Sequence, residues 1–227
     1  MTSRMKKIAL TVALSLALPL GQLSAAGEPA ELNADSVEYD MSSGQAVATG
    51  DVLFKQGNTK VTGAKATYNS KTQEGTVEGS VIAVRDTLRV TCDRIVTNGQ
   101  ERLIASGSVR GNDGDKSFAG EQVEYYPQQN KYVKIPGGGV ISNADGTFTA
   151  SYMEGWLDDE HYVGRGNVHV SSPSRQMEAG GDLADYRGKE QGVVVLTGNA
   201  WATQENNTMK SNKLTLYLDS AGRAKVK

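Results

Sequence analysis

A pattern that returns about every 29 residues limits this chain to a repeat architecture. Each unit opens with an apolar residue, a small one at +2, then apolar residues at +5 and +7. The first copy is Leu32, Ala34, Val37 and Tyr39, the second Val61, Gly63, Ala66 and Tyr68. Val90, Phe118, Phe148, Met177 and Met209 begin the others, at spacings of 29, 29, 28, 30, 29 and 32 residues. The sixth copy is degraded, its later half displaced to Leu183 and Tyr186. A second element follows in each unit: Gly, any residue, then usually Val, as in Gly50–Val52, Gly79–Val81, Gly107–Val109 and Gly166–Val168. Turn-prone stretches such as "DMSSG" and "NSKTQEG" lie between the elements. Seven units of two strands each give about fourteen strands.

The period within each element is two, but it slips by one residue between +2 and +5. A one-residue slip in a flat strand would turn its second half outward. A bulge or sharp corner at the slip keeps both halves facing inward. Repeated in every unit, that corner folds one antiparallel sheet into two facing halves, an elongated open β-jelly roll. The small residue beside each corner predicts a trough along the axis with room for a guest. A dry interior, packed on itself, fits the periodicity equally well.

The first residues read as an export leader rather than as fold. Arg4, Lys6 and Lys7 precede an apolar run from Ile8 to Leu20, and Ser24 and Ala26 have the spacing of a cleavage site. We therefore expect a signal peptide over 1–26 and one domain over 27–227. Cleavage would leave 21 basic against 26 acidic residues, a net charge of −5. That balance argues against nucleic acid, which is held chiefly by Lys and Arg. Cys92 is the one cysteine, so no internal disulfide forms.

The chemistry-bearing residues are sparse. Cys92 occupies the +2 slot that holds Ala34, Gly63 and Ala150 elsewhere, and reads as a small buried residue. His161 closes the acidic "DDEH" stretch, read as a solvated turn, and no second ligand cluster has metal spacing. The Gly137–Gly139 run lacks the Lys-Ser/Thr of a phosphate loop. Lys55, Lys60 and Lys65 form the densest basic cluster, read as solvated surface. No catalytic residue, metal or cofactor is expected.

The unit "LNADSVEYDMSSGQAVATGDVLFKQGNTKVTGAKATY" resembles that of the OstA-type family of lipopolysaccharide-transport proteins. The resemblance rests on Ala34, Asp35, Tyr39 and Asp40, on "ATGDV" at 48–52 and on "TGAKATY" at 62–68; "GNAWATQENNTMKSNKLTLYLDSAGRAKV" resembles the family's closing unit. The middle of the chain, around "KIPGGGVISNADG" and "EGWLDDEHYVGRG", departs most. With no outer-membrane barrel after Lys227, the resemblance is to the periplasmic bridge member.

The resemblance implies a jelly roll that shelters acyl chains and passes lipopolysaccharide from an inner-membrane exporter to an outer-membrane assembly partner, with copies stacked head to tail. Val37, Tyr39, Val52, Phe54, Val61, Ala66, Tyr68, Val81, Ile95 and Val109 would face the lipid. Leu32 and Ala34 on the first strand, with Met209, Leu214 and Leu216 on the last, would form the docking edges. Two rival readings use the same pattern. One is a structural or adhesive envelope protein without cargo. The other is a β-helix enzyme on polysaccharide, which calls for clustered carboxylates where these repeats place apolar and small residues.

Overall fold

The computed structural model describes residues 30–99, 101–144, 146–187, 193–218 and 224–226; the expected leader lies outside them. Among the described residues seventeen strands run in chain order. They are β1 (Ala30–Asn33), β2 (Ser36–Asp40), β3 (Gln45–Gln56), β4 (Thr59–Asn69), β5 (Glu74–Arg85) and β6 (Leu88–Asn98). Next come β7 (Arg102–Asp113), β8 (Lys116–Tyr126), β9 (Tyr132–Ile135), β10 (Gly139–Asn143), β11 (Gly146–Ala150) and β12 (Tyr152–Trp156). The last are β13 (His161–Ser172), β14 (Met177–Arg187), β15 (Val193–Gln204), β16 (Asn207–Leu218) and β17 (Ala224–Val226).

Every pairing is antiparallel, and the chain meanders from each strand to the next. β1 and β2 both pair with β3, on either side of its middle. β9 and β10 flank the middle of β8 in the same way, and β11 and β12 that of β13. These three couples are each one kinked strand cut at its corner, so the seventeen elements make thirteen kinked strands and the short β17, the fourteen that seven two-strand units require. Among the described residues no ladder joins β1 or β2 to β16 or β17, so the sheet stays open at both ends.

The corner sits where the repeat slips. Between β3 and β4 the register jumps from Thr49↔Lys65 to Val52↔Gly63, so Gly50 and Asp51 oppose Ala64 alone. The same jump recurs in every full-length pair from β4–β5 through β7–β8 and from β13–β14 through β15–β16. Stacked along the axis, the jumps form one fold line. In β4 the slip keeps both halves inward: Val61 before it and Ala66 and Tyr68 after it are all buried.

The left-handed residues that turn the corner lie in the second element of the unit. Gly50 and Asp51 have φ of 75° and 42°, and the pairs Gly79–Ser80, Gly107–Ser108, Gly166–Asn167 and Gly198–Asn199 repeat that geometry. Two consecutive left-handed residues need glycine first and then a residue with a short polar side chain, which tolerates this region best. The position read from sequence as "any residue" is therefore restricted to Asp, Ser or Asn in these five units.

The inner faces of the two half-sheets meet in a single apolar cluster that runs from Ala46 to Leu216. Its largest fully buried side chains are Met153, Leu196, Val52, Val61, Val81 and Val109. The expected open trough is corrected here. Small residues beside a corner bring the facing halves closer instead of leaving space: a Cβ on Gly63 would lie 2.7 Å from Val77 Cγ1. A cavity of about 10 Å³, lined by Phe54, Val61, Gly75, Thr76, Val77, Ile95 and Thr97, holds room for about one water and no acyl chain.

Candidate functional site

Eight of the ten residues expected to face a lipid lie buried in the interior. Val52, Val61, Val81 and Val109 are each 1% exposed, and Phe54, Ile95, Tyr68 and Ala66 between 2% and 6%. They come from successive strands, and the register sets Phe54 beside Val61, Ala66 beside Ala48 and Val77, and Tyr68 beside Ala46. The interior is thus a continuous apolar seam carried from unit to unit.

Val37 and Tyr39 differ, at 40% and 37% exposed. Their partners across the ladder are Ala48 and Ala46, both buried inward-facing residues. Directly opposed residues share a face, so Val37 and Tyr39 point to the inner side of a strand that, among the described residues, has no neighbour beyond it. They mark the place where the apolar seam reaches solvent at the N-terminal end, and Met41, 85% exposed, follows in the adjoining turn.

The expected docking residues divide between core and edge. Leu32 and Ala34 are half-buried against the cluster. Leu214 and Leu216 are buried core residues, 7% and 2% exposed, and Met209 packs against the same cluster. The C-terminal edge is also not wholly open, because β17 pairs with β16 at Leu216–Leu218. Among the described residues, β16 from Asn207 to Thr215 is paired on one side only, by β15.

Corner glycines meet a recurrent partner. A Cβ at Gly50, Gly107 or Gly198 would collide with the carboxylates of Asp35, Asp93 and Asp182 respectively, while Gly79 has Ala64 and Gly166 has Ser151 in that place. In the first and fifth units the same partner also donates its backbone N–H to the corner carbonyl, Asp35 to Gly50 at 2.9 Å and Ser151 to Gly166 at 2.8 Å. The corner is consequently close-packed along much of the fold line.

The remaining sequence candidates behave as ordinary structure. Cys92 is buried in the +2 slot, and desolvation pushes its thiol up to about 11, so it is no nucleophile at neutral pH. His169 lies on the outer face against Trp201, ring centroids 5.9 Å apart, with Glu178 at 3.7 Å. Lys55 meets Glu31 at 3.6 Å on the surface.

One arrangement escaped the sequence reading. On the outer face of the middle strands, Glu124 and Glu154 are covered carboxylates. Glu124 accepts from Tyr126 Oη at 2.6 Å and Gln122 Nε2 at 2.8 Å, with Lys134 Nζ at 3.2 Å. Glu154 accepts from Tyr132 at 2.7 Å, Tyr152 at 3.0 Å and Arg165 at 2.6 Å. Burial drives both carboxyls up, but these hydrogen bonds and cations outweigh it and hold them below the usual value. Burial and then the Glu154 hydrogen bond raise the Tyr132 hydroxyl in turn. Three of these contacts join residues two apart on one strand and three cross between strands, and the signal for them lay in the residues flanking two hairpin turns.

A family model described as LptA/(LptD N-terminal domain) LPS transport protein matches residues 31–221. Among solved structures, the chain is similar to the crystal structure of LptH, the LptA-homologous periplasmic component of the conserved lipopolysaccharide transport device from Pseudomonas aeruginosa. The identity is 26%, the match covers 47% of this chain and 80% of that one, and the TM-score is 0.42. No curated protein matches the chain.

Proposed function

The chain belongs to the LptA/LptD N-terminal domain family of lipopolysaccharide-transport proteins, a family of transport components rather than enzymes, and on that premise we propose that it is a periplasmic bridge whose apolar seam shelters the acyl chains of lipopolysaccharide. The observation that carries this reading is the single cluster from Ala46 to Leu216 inside a sheet that, among the described residues, does not close on itself. A closed barrel would fix its interior volume, whereas two half-sheets joined along one fold line can part along the opposite side. Cargo would enter by separating them, replacing protein–protein apolar contact with protein–acyl contact at little net change in buried area. Each methylene taken from water is worth about 0.8 kcal/mol, so acyl chains supply the binding without help from an acidic protein's charge.

Similar apolar walls in every unit give neighbouring positions similar energies, so cargo can move along the seam without a deep trap. Direction then comes from a motor in the inner-membrane exporter. The unpaired backbones of β1–β2 and β16 are edges on which a second copy, or the outer-membrane assembly partner, would add strands and continue the seam. Titration of the purified mature chain with labelled lipid A in detergent-free buffer checks the cargo. Saturable binding is expected, and its absence would remove the reading.

The closed interior favours one rival: a structural envelope protein that assembles through the same edges and stays dry. Displacement of an apolar fluorescent probe separates the two. Probe taken up by the protein and expelled by lipid A supports transport, and a protein that takes up no probe supports the dry assembly.

A further inference from the structure

The repeat provides its own control for the outer face. Next to the hairpin turns, the outward row of the first half of the sheet reads Gln45, Asn69, Glu74, Asn98 and Arg102, polar throughout. Across β8, β9, β12 and β13 the same row becomes Tyr126, Tyr132, Trp156 and His161. Successive ring centroids are 5.5, 5.0 and 4.9 Å apart, the last pair stacked at 16°. Four rings in a line on a solvated sheet face are not needed for the fold, since the polar version serves elsewhere.

The rings are held in place from the row beneath. Tyr126 and Tyr132 are tied through their hydroxyls to Glu124 and Glu154, and Nε2 of His161 lies 3.1 Å from Asp185 Oδ1. Each of these three carboxylates also faces one cation: Glu124 with Lys134, Glu154 with Arg165, Asp185 with Arg187. The rows therefore carry balanced charge. A strongly cationic or anionic partner finds no excess of opposite sign there. An uncharged, many-hydroxyl ligand does find its complement: a ridge of ring edges whose positive rims attract hydroxyl oxygens, beside the exposed guanidinium groups of Arg165 and Arg187, which donate to hydroxyls. Fixed rings also reduce the ordering lost on binding.

We propose that this aromatic row is a saccharide-binding strip that takes the oligosaccharide of the lipopolysaccharide cargo. The inference rests on the transport reading for the source of its ligand, and on the row alone for its chemistry. The strip borders the turns between β8 and β9 and between β12 and β13, at the side away from the fold line. A lipid whose chains lie in the seam would have its sugars emerge along that border.

The test uses Trp201→Phe protein, which leaves Trp156 as the one tryptophan. It is titrated in parallel with core oligosaccharide freed of lipid A by mild acid and with lipid A alone. A saturable change in Trp156 emission on adding oligosaccharide is expected, weakened at least tenfold by Tyr132→Ala and much less by Tyr132→Phe, which keeps the ring. Shifts of the His161 ring resonances, read by NMR on the Trp201→Phe protein, give a second readout independent of any variant at the strip. No response to oligosaccharide in either readout overturns the proposal, as does an equal response to a lysine-rich peptide, which would mark a cation-binding surface. Lipid A binding without oligosaccharide binding removes the strip and leaves the transport reading standing. Oligosaccharide binding without lipid A binding supports the strip and removes the seam as its companion.

Discussion

Replacing Gly107 by alanine probes the fold line where it is most tightly built. Gly107 has φ of 79°, and a Cβ there would lie 2.6 Å from Asp93 Cβ as well as against its carboxylate. The left-handed conformation alone costs an alanine about 1–2 kcal/mol. Displacing the Asp93 stem, which belongs to the neighbouring strand and cannot swing away, adds about 1–3 kcal/mol of overpacking. The expected loss is therefore about 2–5 kcal/mol. Gly114→Ala is the internal control, because Gly114 has φ of 60° with nothing within 4 Å of a Cβ. It should lose only the backbone part. Urea unfolding followed by far-UV circular dichroism measures both. In a double-mutant cycle, Asp93→Gly combined with Gly107→Ala should recover the overpacking part, a coupling of about 1–3 kcal/mol. Equal losses at Gly107 and Gly114, with no coupling to Asp93, would refute a close-packed corner.

Other outcomes follow from burial and charge. Leu196, fully buried, should lose about 2–5 kcal/mol on change to alanine, whereas Leu157→Ala, at an exposed turn, should change urea stability by less than about 0.5 kcal/mol. Cys92 should resist a thiol reagent at pH 8 in the native protein and react at once in urea. Glu124 and Glu154 have folded-state values below their unfolded ones, so their stabilisation is present above the unfolded value, near pH 4.3, and is lost as pH falls through the folded values. Acid titration of stability should thus show a steep loss below about pH 4.3 that Glu154→Gln makes shallower.

Much of the architecture could be read from the chain because a repeat states each rule several times over. The one-residue slip at Leu32–Tyr39 and Val61–Tyr68 located the corner, and two elements per unit gave the strand number. The identity of the second corner residue was missed because Asp51, Ser80 and Asn167 look unrelated until their shared left-handed backbone is seen. The trough was misjudged for a metric reason: small side chains show that two surfaces are near something, and sequence does not say whether it is a guest or each other. Val37 and Tyr39 belong to the inner pattern, yet they stand exposed because β2 is paired on one side only among the described residues, which a repeat pattern does not mark. The aromatic row was invisible for want of cross-strand register. Tyr132 and Trp156 are far apart in sequence and adjacent in the sheet. In sequence, "WLDDEH" showed its acidic turn and hid the two rings at its ends.

The most direct test of the account places a photoreactive residue at Phe54 or Tyr68, inside the seam, and at Glu38, on the outer face of β2, in living cells. Lipopolysaccharide adducts are expected at Phe54 and Tyr68 and none at Glu38. Adducts absent from both interior positions, or equally abundant at Glu38, would contradict it.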